Sequence, residues 1–371
     1  MHLTYALRFR HEREETQMYE IRNTPSKQVL AMMQTDHPVI RMAVVQAAAI
    51  PGDPQQNIKT IRTFSEKAAA AGCSAVCFPE GFLTGYDPDN AAQFAISADA
   101  PALKEVSQIA AELQIDILAG YMELHILNAE NDFTDPADPH SDSSLPTAAR
   151  SKSSFAITHA VFYPDGRILP CRKTHLGEKE QTIFDPGNVL QVFPLSCGVT
   201  AALQICVECH FPEITQTLSL QGAQVIFAPF ASPGTPEDRR RIWQTIIPAR
   251  AYDNRVVMAC CNLLQEAAGS KQSASEPFAD DSDLSEDHAS AKPALPKDPS
   301  SGKPALPGGC FVCGPEGEVL AEDFGGSPGL CVFEVDLAQL ARYRIGDDSM
   351  RYRYYPAKRR PELYKSDCVK S

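Results

Sequence analysis

The sequence predicts an α/β protein, because short apolar runs of strand length alternate with stretches of helical pattern along most of its 371 residues. With 43% hydrophobic residues the chain can bury a sizeable single core, and it has no apolar stretch long enough to span a bilayer. The alternation is regular. A strand from Arg41 to Gln46 precedes a helix near Pro54 to Ala71, a strand from Ala75 to Phe78, a helix near Pro101 to Leu113 and a strand from Asp116 to Tyr121. A strand and turn follow at Ala160 to Arg167. The rhythm then resumes with a helix near Glu213 to Gln221, the strand Val225 to Ala228, a helix near Asp238 to Asn254 and the strand Val256 to Ala259.

Two stretches interrupt this rhythm. Residues Asn128 to Ser153 and Gln265 to Gly308 are rich in Ser, Asp, Pro, Ala and Lys and poor in aromatics. Such composition buries too little apolar area to offset ordering entropy, so both are expected to be flexible insertions, either of which is placed to fold over a pocket. The first 38 residues are mixed and charged with no apolar signal region, and read as an extension outside the body at 39–364; residues 365–371 form a tail.

A formal net charge of -13 argues against nucleic acid as a ligand, since phosphate binding needs a concentrated basic face, and Lys358-Arg359-Arg360 is too short to make one. The twelve cysteines include two C-x-x-C spacings, Cys206 with Cys209 and Cys310 with Cys313. Cys310-Phe311-Val312-Cys313 reads as a strand, in which residues three apart face opposite sides, so it is poorly suited to zinc. Cys73, Cys77, Cys260 and Cys261 lie in apolar strands and read as small core residues of a reduced, cytoplasmic compartment.

Three segments share one design, an apolar strand delivering an ionisable residue to a turn. Ala201-Ala202-Leu203-Gln204-Ile205 ends at Cys206; Ser74 to Phe78 ends at Pro79-Glu80-Gly81; and the segment after the Tyr163-Pro164-Asp165-Gly166 turn carries Arg172-Lys173-Thr174-His175. An unperturbed thiol is only a few per cent thiolate at neutral pH, so a nucleophilic Cys206 needs neighbours. A carboxylate such as Glu80 can take its proton, and an ammonium such as Lys173 can stabilise both the thiolate and the oxyanion of a tetrahedral intermediate. Taken singly, a Cys before Phe-Pro, a Glu after Phe-Pro and a Lys beside Arg are ordinary core, cap and surface residues. Their ordered combination points to chemistry.

That ordered set resembles the nitrilase superfamily of carbon-nitrogen hydrolases. Phe78-Pro79-Glu80 with Leu83-Thr84-Gly85-Tyr86 resembles the family's first glutamate motif, Arg172-Lys173-Thr174-His175-Leu176 its lysine motif, and Ile205-Cys206-Val207-Glu208 with Phe211-Pro212-Glu213 its nucleophile motif. The opening strand Ile40 to Gln46, the helix start Asp53 to Asn57, Arg250 to Asn254 with Asn262, and Arg359-Arg360-Pro361-Glu362-Leu363-Tyr364 are similar to flanking segments of the family.

The resemblance implies a four-layer α-β-β-α sandwich that pairs into homodimers or larger assemblies, with no metal or organic cofactor. It implies a catalytic set of Glu80, Lys173 and Cys206, with a second glutamate placed before a Pro-Gly turn. Counting back from Pro186-Gly187 gives Glu180, with Glu178 as the alternative. Val207 stands where nitrilases carry Trp, which favours the amidase or carbamoylase branches, although Val is unusual there too. The implied reaction is hydrolysis of a small linear amide, ω-amide or N-carbamoyl compound through a Cys206 thioester. A nitrilase, or a binding protein that keeps the fold, is the alternative. Tyr86, Glu123, Val207, His210, Phe230 and Ala231 are candidate substrate contacts. Five of them also have an ordinary structural reading: core packing for Tyr86, Phe230 and Ala231, strand-end hydrogen bonding for Glu123, local hydrogen bonds for His210.

Overall fold

A computed structural model describes residues 39–127, 152–265, 305–345 and 358–360, together with two short paired strands, β1 (Ala6–Leu7) and β2 (Tyr19–Glu20). Most of the N-terminal extension, the greater part of both insertions, residues 361–364 of the tail motif and the C-terminal tail lie outside the described residues. In chain order the body comprises β3 (Val39–Gln46), α1 (Pro54–Ala70), β4 (Cys73–Cys77), α2 (Ala91–Phe94), α3 (Pro101–Leu113), β5 (Asp116–Leu127), β6 (Lys152–Phe162), β7 (Ile168–Arg172), β8 (Val192–Pro194) and β9 (Thr200–Leu203). Then follow α4 (Pro212–Leu220), β10 (Val225–Phe230), α5 (Pro236–Asn254), β11 (Val257–Asn262), β12 (Cys310–Cys313), β13 (Val319–Asp323), β14 (Gly329–Asp336) and α6 (Leu337–Ile345).

These strands form two six-stranded sheets, ordered β14-β3-β4-β5-β6-β7 and β13-β12-β11-β10-β9-β8. In each, three central strands run parallel, β3-β4-β5 in one and β9-β10-β11 in the other, and antiparallel strands complete the edges. Both faces of the central strands are buried, which explains their nearly continuous apolar sequences.

Alternation along each strand sorts the side chains into three cores. Met42 and Val44 of β3 face inward with Cys77, Leu118, Val225, Phe227, Ala259 and Val312, so the two sheets pack directly on one another. Ala43 and Val45 face the other way, against Ile58, Ile61 and Phe64 of α1 and Leu103, Val106 and Ile109 of α3. On the far side, Ile226, Ala228 and Met258 pack on Ile214 and Leu218 of α4 and Trp243 and Ile247 of α5. The architecture is therefore the four-layer α-β-β-α sandwich that the resemblance implies.

Two helix starts show why the sequence folds locally as it does. Asp53 caps α1 by accepting from Gln56 N at 3.0 Å, and Thr235 caps α5 by accepting from Asp238 N at 3.0 Å, each with proline in the first turn, where its missing donor costs nothing. One boundary differs from expectation. β5 continues past Tyr121 to Leu127 because it pairs in antiparallel register with β6, from Ile117 opposite Phe162 to Leu127 opposite Lys152. The first insertion is therefore shorter at its C-terminal end than composition indicates, since Lys152 and Ser153 are already ladder residues. Among the described residues, no helix is long and apolar enough to cross a membrane.

Candidate active site

The site forms where strands of both sheets end. β4 runs out at Cys77, Phe78 N donates to Leu118 O at 2.8 Å, and the chain then turns through Pro79-Glu80-Gly81. Gly81 is in the left-handed region at φ 64°, and β5 passes so close that a Cβ on Gly120 would stand 2.6 Å from Gly81 N. These two glycines let the Glu80 turn press against the sheet, where Glu80 is 1% exposed.

Lys173 follows β7 directly, its own N–H donating to Ile157 O at 2.8 Å and its carbonyl accepting from Gly187 N at 2.7 Å. Its ammonium, also 1% exposed, donates to Glu80 Oε1 at 2.7 Å and to both oxygens of Glu180 at 2.8 Å. Glu180 opens a single 3₁₀ turn that points its side chain inward, whereas Glu178 is exposed. The structure thus brings Glu180, and not Glu178, to Lys173. Glu180 also accepts from Gly177 N at 2.6 Å and from the Tyr86 hydroxyl, so both of its oxygens are committed to holding Lys173 in place.

Cys206 comes from the other sheet, beyond the end of β9, at the start of a 3₁₀ turn, Cys206–His210. Its φ of 54° is unusual for a residue with a side chain, and the strain is maintained by what surrounds it. Sγ lies 3.3 Å from Ser232 Oγ, and its thiol is within hydrogen-bonding reach of the Glu80 carboxylate. Glu80 Oε2 also accepts from Ala231 N at 3.0 Å, which joins the first sheet's glutamate to the end of β10.

Three groups of opposite tendency share this dry space. Burial pushes the Glu80 carboxyl up to about 7, with the neighbouring Glu180 charge adding to the effect and Lys173 opposing it. Burial pushes the Cys206 thiol up to about 12, reinforced by Glu80 and opposed by Lys173 and the Ser232 hydroxyl. Burial alone would lower Lys173, but Glu80, Cys206 and Glu180 outweigh it, so the ammonium is held charged well above its ordinary range. The arrangement is a neutral thiol beside a carboxylate able to gain or lose a proton near neutrality and a fixed cation.

Glu208 ties the two halves together. It is buried, with Oε1 accepting from Thr174 N at 2.6 Å, Thr174 Oγ1 at 2.7 Å and His175 N at 3.3 Å, while Oε2 accepts from Ile205 N at 2.6 Å. The residues after Lys173 and before Cys206 are therefore anchored to one carboxylate.

The remaining sequence candidates take different places. Tyr86 and Ala231 touch the Glu80-Lys173-Glu180 cluster through Glu180 and Glu80 respectively. Glu123 does not join it. Its oxygens are engaged by Thr158 at 2.5 Å and by a two-pronged contact from Arg172 at 2.9 and 2.7 Å, which fixes the end of β7. These donors hold the Glu123 carboxyl below its usual range despite burial. Phe230 points into the helix layer, its ring 5.0 Å from that of Trp243. Val207 is half-buried in the Cys206–His210 turn, and His210 closes that turn at the surface.

Sequence reasoning did not single out Ser232, and it named Asn262, which holds Ser232, only as part of a flanking segment. Asn262 Oδ1 accepts from Ser232 N at 2.8 Å, and its Nδ2 donates to Ser232 O at 3.0 Å and to Gly308 O at 3.1 Å. Ser232 carried a signal, since it follows a buried strand and precedes Pro233-Gly234, the same pattern that marked the other three. Among the described residues, no group of three or more His, Cys, Asp or Glu side chains is arranged to hold a metal ion.

Comparison with known proteins agrees with this geometry. The chain is 25% identical over 225 residues to an (R)-stereoselective amidase from Pseudomonas sp, covering 60% of this chain and 70% of the relative. It is likewise 25% identical over 240 residues to a nitrilase from Pyrococcus abyssi, covering 63% and 78%. The crystal structure of an amidase from Nesterenkonia sp. superposes with a TM-score of 0.59 at 23% identity, over 87% of this chain and 94% of that one, a likeness that speaks for the fold. The family model described as carbon-nitrogen hydrolase matches residues 41–345. The chain therefore belongs to the carbon-nitrogen hydrolase family of the nitrilase superfamily, and is a carbon-nitrogen hydrolase.

Proposed function

We propose that the protein hydrolyses a non-peptide carbon-nitrogen bond in a small linear amide, ω-amide or N-carbamoyl compound, using Cys206 as nucleophile. The observation that carries this reading is the Glu80-Lys173-Glu180 cluster set against the Cys206 thiol. Glu80 is the group suited to carry the proton, because it lies against the thiol and sits near neutrality, whereas both oxygens of Glu180 are engaged by Lys173, Tyr86 and Gly177.

In the proposed reaction Sγ attacks the carbonyl carbon as its proton passes to Glu80. The oxyanion is stabilised by the Lys173 ammonium and by the N–H of Val207, which lies in the first part of a 3₁₀ turn and has no acceptor within it. Collapse breaks the C–N bond, and the proton leaves Glu80 with the nitrogen as ammonia or an amine. Water then attacks the thioester while Glu80 accepts its proton. Breaking of the C–S bond releases the acid, and the proton returns to the thiol.

The amidase-like branch is favoured over a nitrilase by Val207, where nitrilases carry Trp, although a nitrilase is among the relatives. Ammonia release from a panel of small amides, carbamoyl amino acids and nitriles, with Cys206→Ala beside the natural protein, tests the reading. Release from amides or carbamoyl compounds that is lost in the variant, with a thioester mass on the Cys206 peptide, is the expected result. Consumption of nitriles alone would make it a nitrilase. A Cys206 no more reactive toward iodoacetamide than the other thiols, with no release at all, would leave a binding protein.

A further inference from the structure

Among the described residues, Arg239 is a buried cation without an anion. It lies in the first turn of α5 and is 7% exposed. Its Nη2 donates to Pro233 O at 3.0 Å, and its Nε is buried with no acceptor among the described residues. No carboxylate among the described residues forms an ion pair with it; Asp238 acts on it only through space. The guanidinium carbon lies 5.9 Å from the centre of the Phe230 ring and 5.8 Å from that of Trp243. One turn further on, Trp243 Nε1 is also buried without an acceptor.

A charge withdrawn from water is costly unless it is paired. Aromatic neighbours explain how the flat guanidinium is packed, but they provide no acceptors in its plane. A side chain with five N–H donors in a rigid fork, using one on a backbone carbonyl, is left able to grip a planar anion.

Its position ties this capacity to the reacting centre. Pro233 follows Ser232, whose hydroxyl is 3.3 Å from Cys206 Sγ, and the Arg239 charge is felt at both Cys206 and His210. The guanidinium thus rests on the loop after β10, close enough to the Cys206–His210 turn for its charge to act there.

We propose that Arg239 selects substrates bearing an anionic group remote from the scissile carbonyl, so that the enzyme acts on ω-amido or N-carbamoyl carboxylates in preference to neutral amides. This rests on the hydrolase reading above. The carbonyl end is held at Cys206 and Lys173, and the carboxylate end is received by Arg239 at the mouth of α5.

The test compares length-matched pairs, succinamate with butanamide and glutaramate with pentanamide. The natural protein should favour the carboxylate member by about 10- to 100-fold in kcat/KM, the range of one charge-assisted contact. Arg239→Met should collapse that ratio chiefly through KM, and Arg239→Lys should retain part of it. A merely structural arginine would lower both members of a pair equally. Binding separates this inference from the hydrolase reading: calorimetry of succinate and butyrate with the Cys206→Ala protein requires no turnover. Succinate should bind at least about tenfold tighter, and adding Arg239→Met should erase the difference. If carboxylates bind in this way but no amide is turned over, the hydrolase reading falls and the anion site stands. If neutral amides are turned over as well as their carboxylate partners, or succinate binds no better than butyrate or not at all, the assignment of Arg239 is overturned.

Discussion

Replacing Glu208 by glutamine should disable the site without touching a reacting atom. The carboxylate accepts four hydrogen bonds, three of them on Oε1 from Thr174 and His175 and one on Oε2 from Ile205, all in a buried setting. Glutamine is nearly isosteric but has one oxygen. With that oxygen turned toward Thr174, its amide NH₂ faces the Ile205 N–H, so one bond is replaced by two opposed donors and the other three lose their charge assistance. Such a loss costs about 2–4 kcal/mol. For a chain of this size, that is a fall of roughly 3–5 °C in melting temperature. The strain would be relieved by moving Ile205, the residue before Cys206, or Thr174, the residue after Lys173. A displacement of about 1 Å between nucleophile and cation can cost about 100-fold in rate. Differential scanning calorimetry reads the first effect. The second is read by iodoacetamide labelling of the Cys206 peptide and by ammonia release on the best substrate. A Glu208→Gln protein that melts within about 1 °C of the natural one and labels Cys206 at an unchanged rate would refute the idea that this carboxylate sets the geometry.

Three further predictions follow from the same site and the strands behind it. Burial holds the Glu80 carboxyl at about 7, so its proton-accepting form is lost below that value; kcat/KM should fall about tenfold per pH unit on the acid side, and Glu80→Gln should remove this limb along with most of the rate. Ser232→Ala deletes the hydroxyl 3.3 Å from the thiol while Asn262 still holds the Ser232 backbone, so labelling of Cys206 at pH 8 should slow about 3- to 10-fold with little change in melting temperature. His159, buried on β6, is depressed by burial to about 3; its stabilising contribution is complete above its unfolded value of 6.5 and is lost as pH falls toward 3, at about 1.4 kcal/mol per unit. Glu80, whose folded value is raised, contributes with the opposite sign between 4.5 and 7, so the comparison of His159→Gln with the natural protein isolates the histidine: urea denaturation at pH 7.5 and 4.5 should show a shallower acid loss in the variant.

The residues legible in the sequence are those delivered by local structure. Glu80, Lys173 and Cys206 each sit immediately beyond a strand whose apolar run is visible without knowledge of its neighbours. Glu180 needed one more fact, the 3₁₀ turn that sends it inward and leaves Glu178 in solvent, and two acidic residues separated by one position give no sequence signal for that. Arg239 was hidden for a different reason. It is the first of three consecutive arginines, Arg239-Arg240-Arg241, and nothing in that run distinguishes one from the others. The cap at Thr235 fixes the phase of α5 so that Arg239 turns inward with Trp243 and Ile247, while Arg240 and Arg241 remain outside with Glu322 and Asp238. Glu123 was misleading in the opposite sense. A glutamate at the end of an apolar run has the same appearance whether it faces substrate or, as the structure shows, is engaged by Thr158 on the next strand and Arg172 on the strand beyond it.

The division of labour between the sheets explains why so much of the polar bonding lies behind the reacting groups rather than among them. Glu80, Lys173 and Glu180 are carried by the first sheet and its connections, Cys206 and Ser232 by the second, and the sheets meet through a largely apolar core, with further polar links such as Ser196 to Asp116 and Gly309 N to Gln46 Oε1 at its margins. Apolar contacts fix separation well but orientation poorly, because they have no preferred angle. Two directional links cross the gap at the site: Ala231 N to Glu80 Oε2, and Glu208 to Thr174 and His175. The first sets Glu80 against the end of β10, and the second sets the loop after Lys173 against the strained Cys206 turn. Cys206 can then be held at φ 54° because the residue before it and the third residue of its turn are pinned by the same carboxylate. The strain at the thiol and the dry setting of the glutamate and lysine are thus consequences of one arrangement, in which hydrogen bonds supply the angles that the packing of two sheets leaves undetermined.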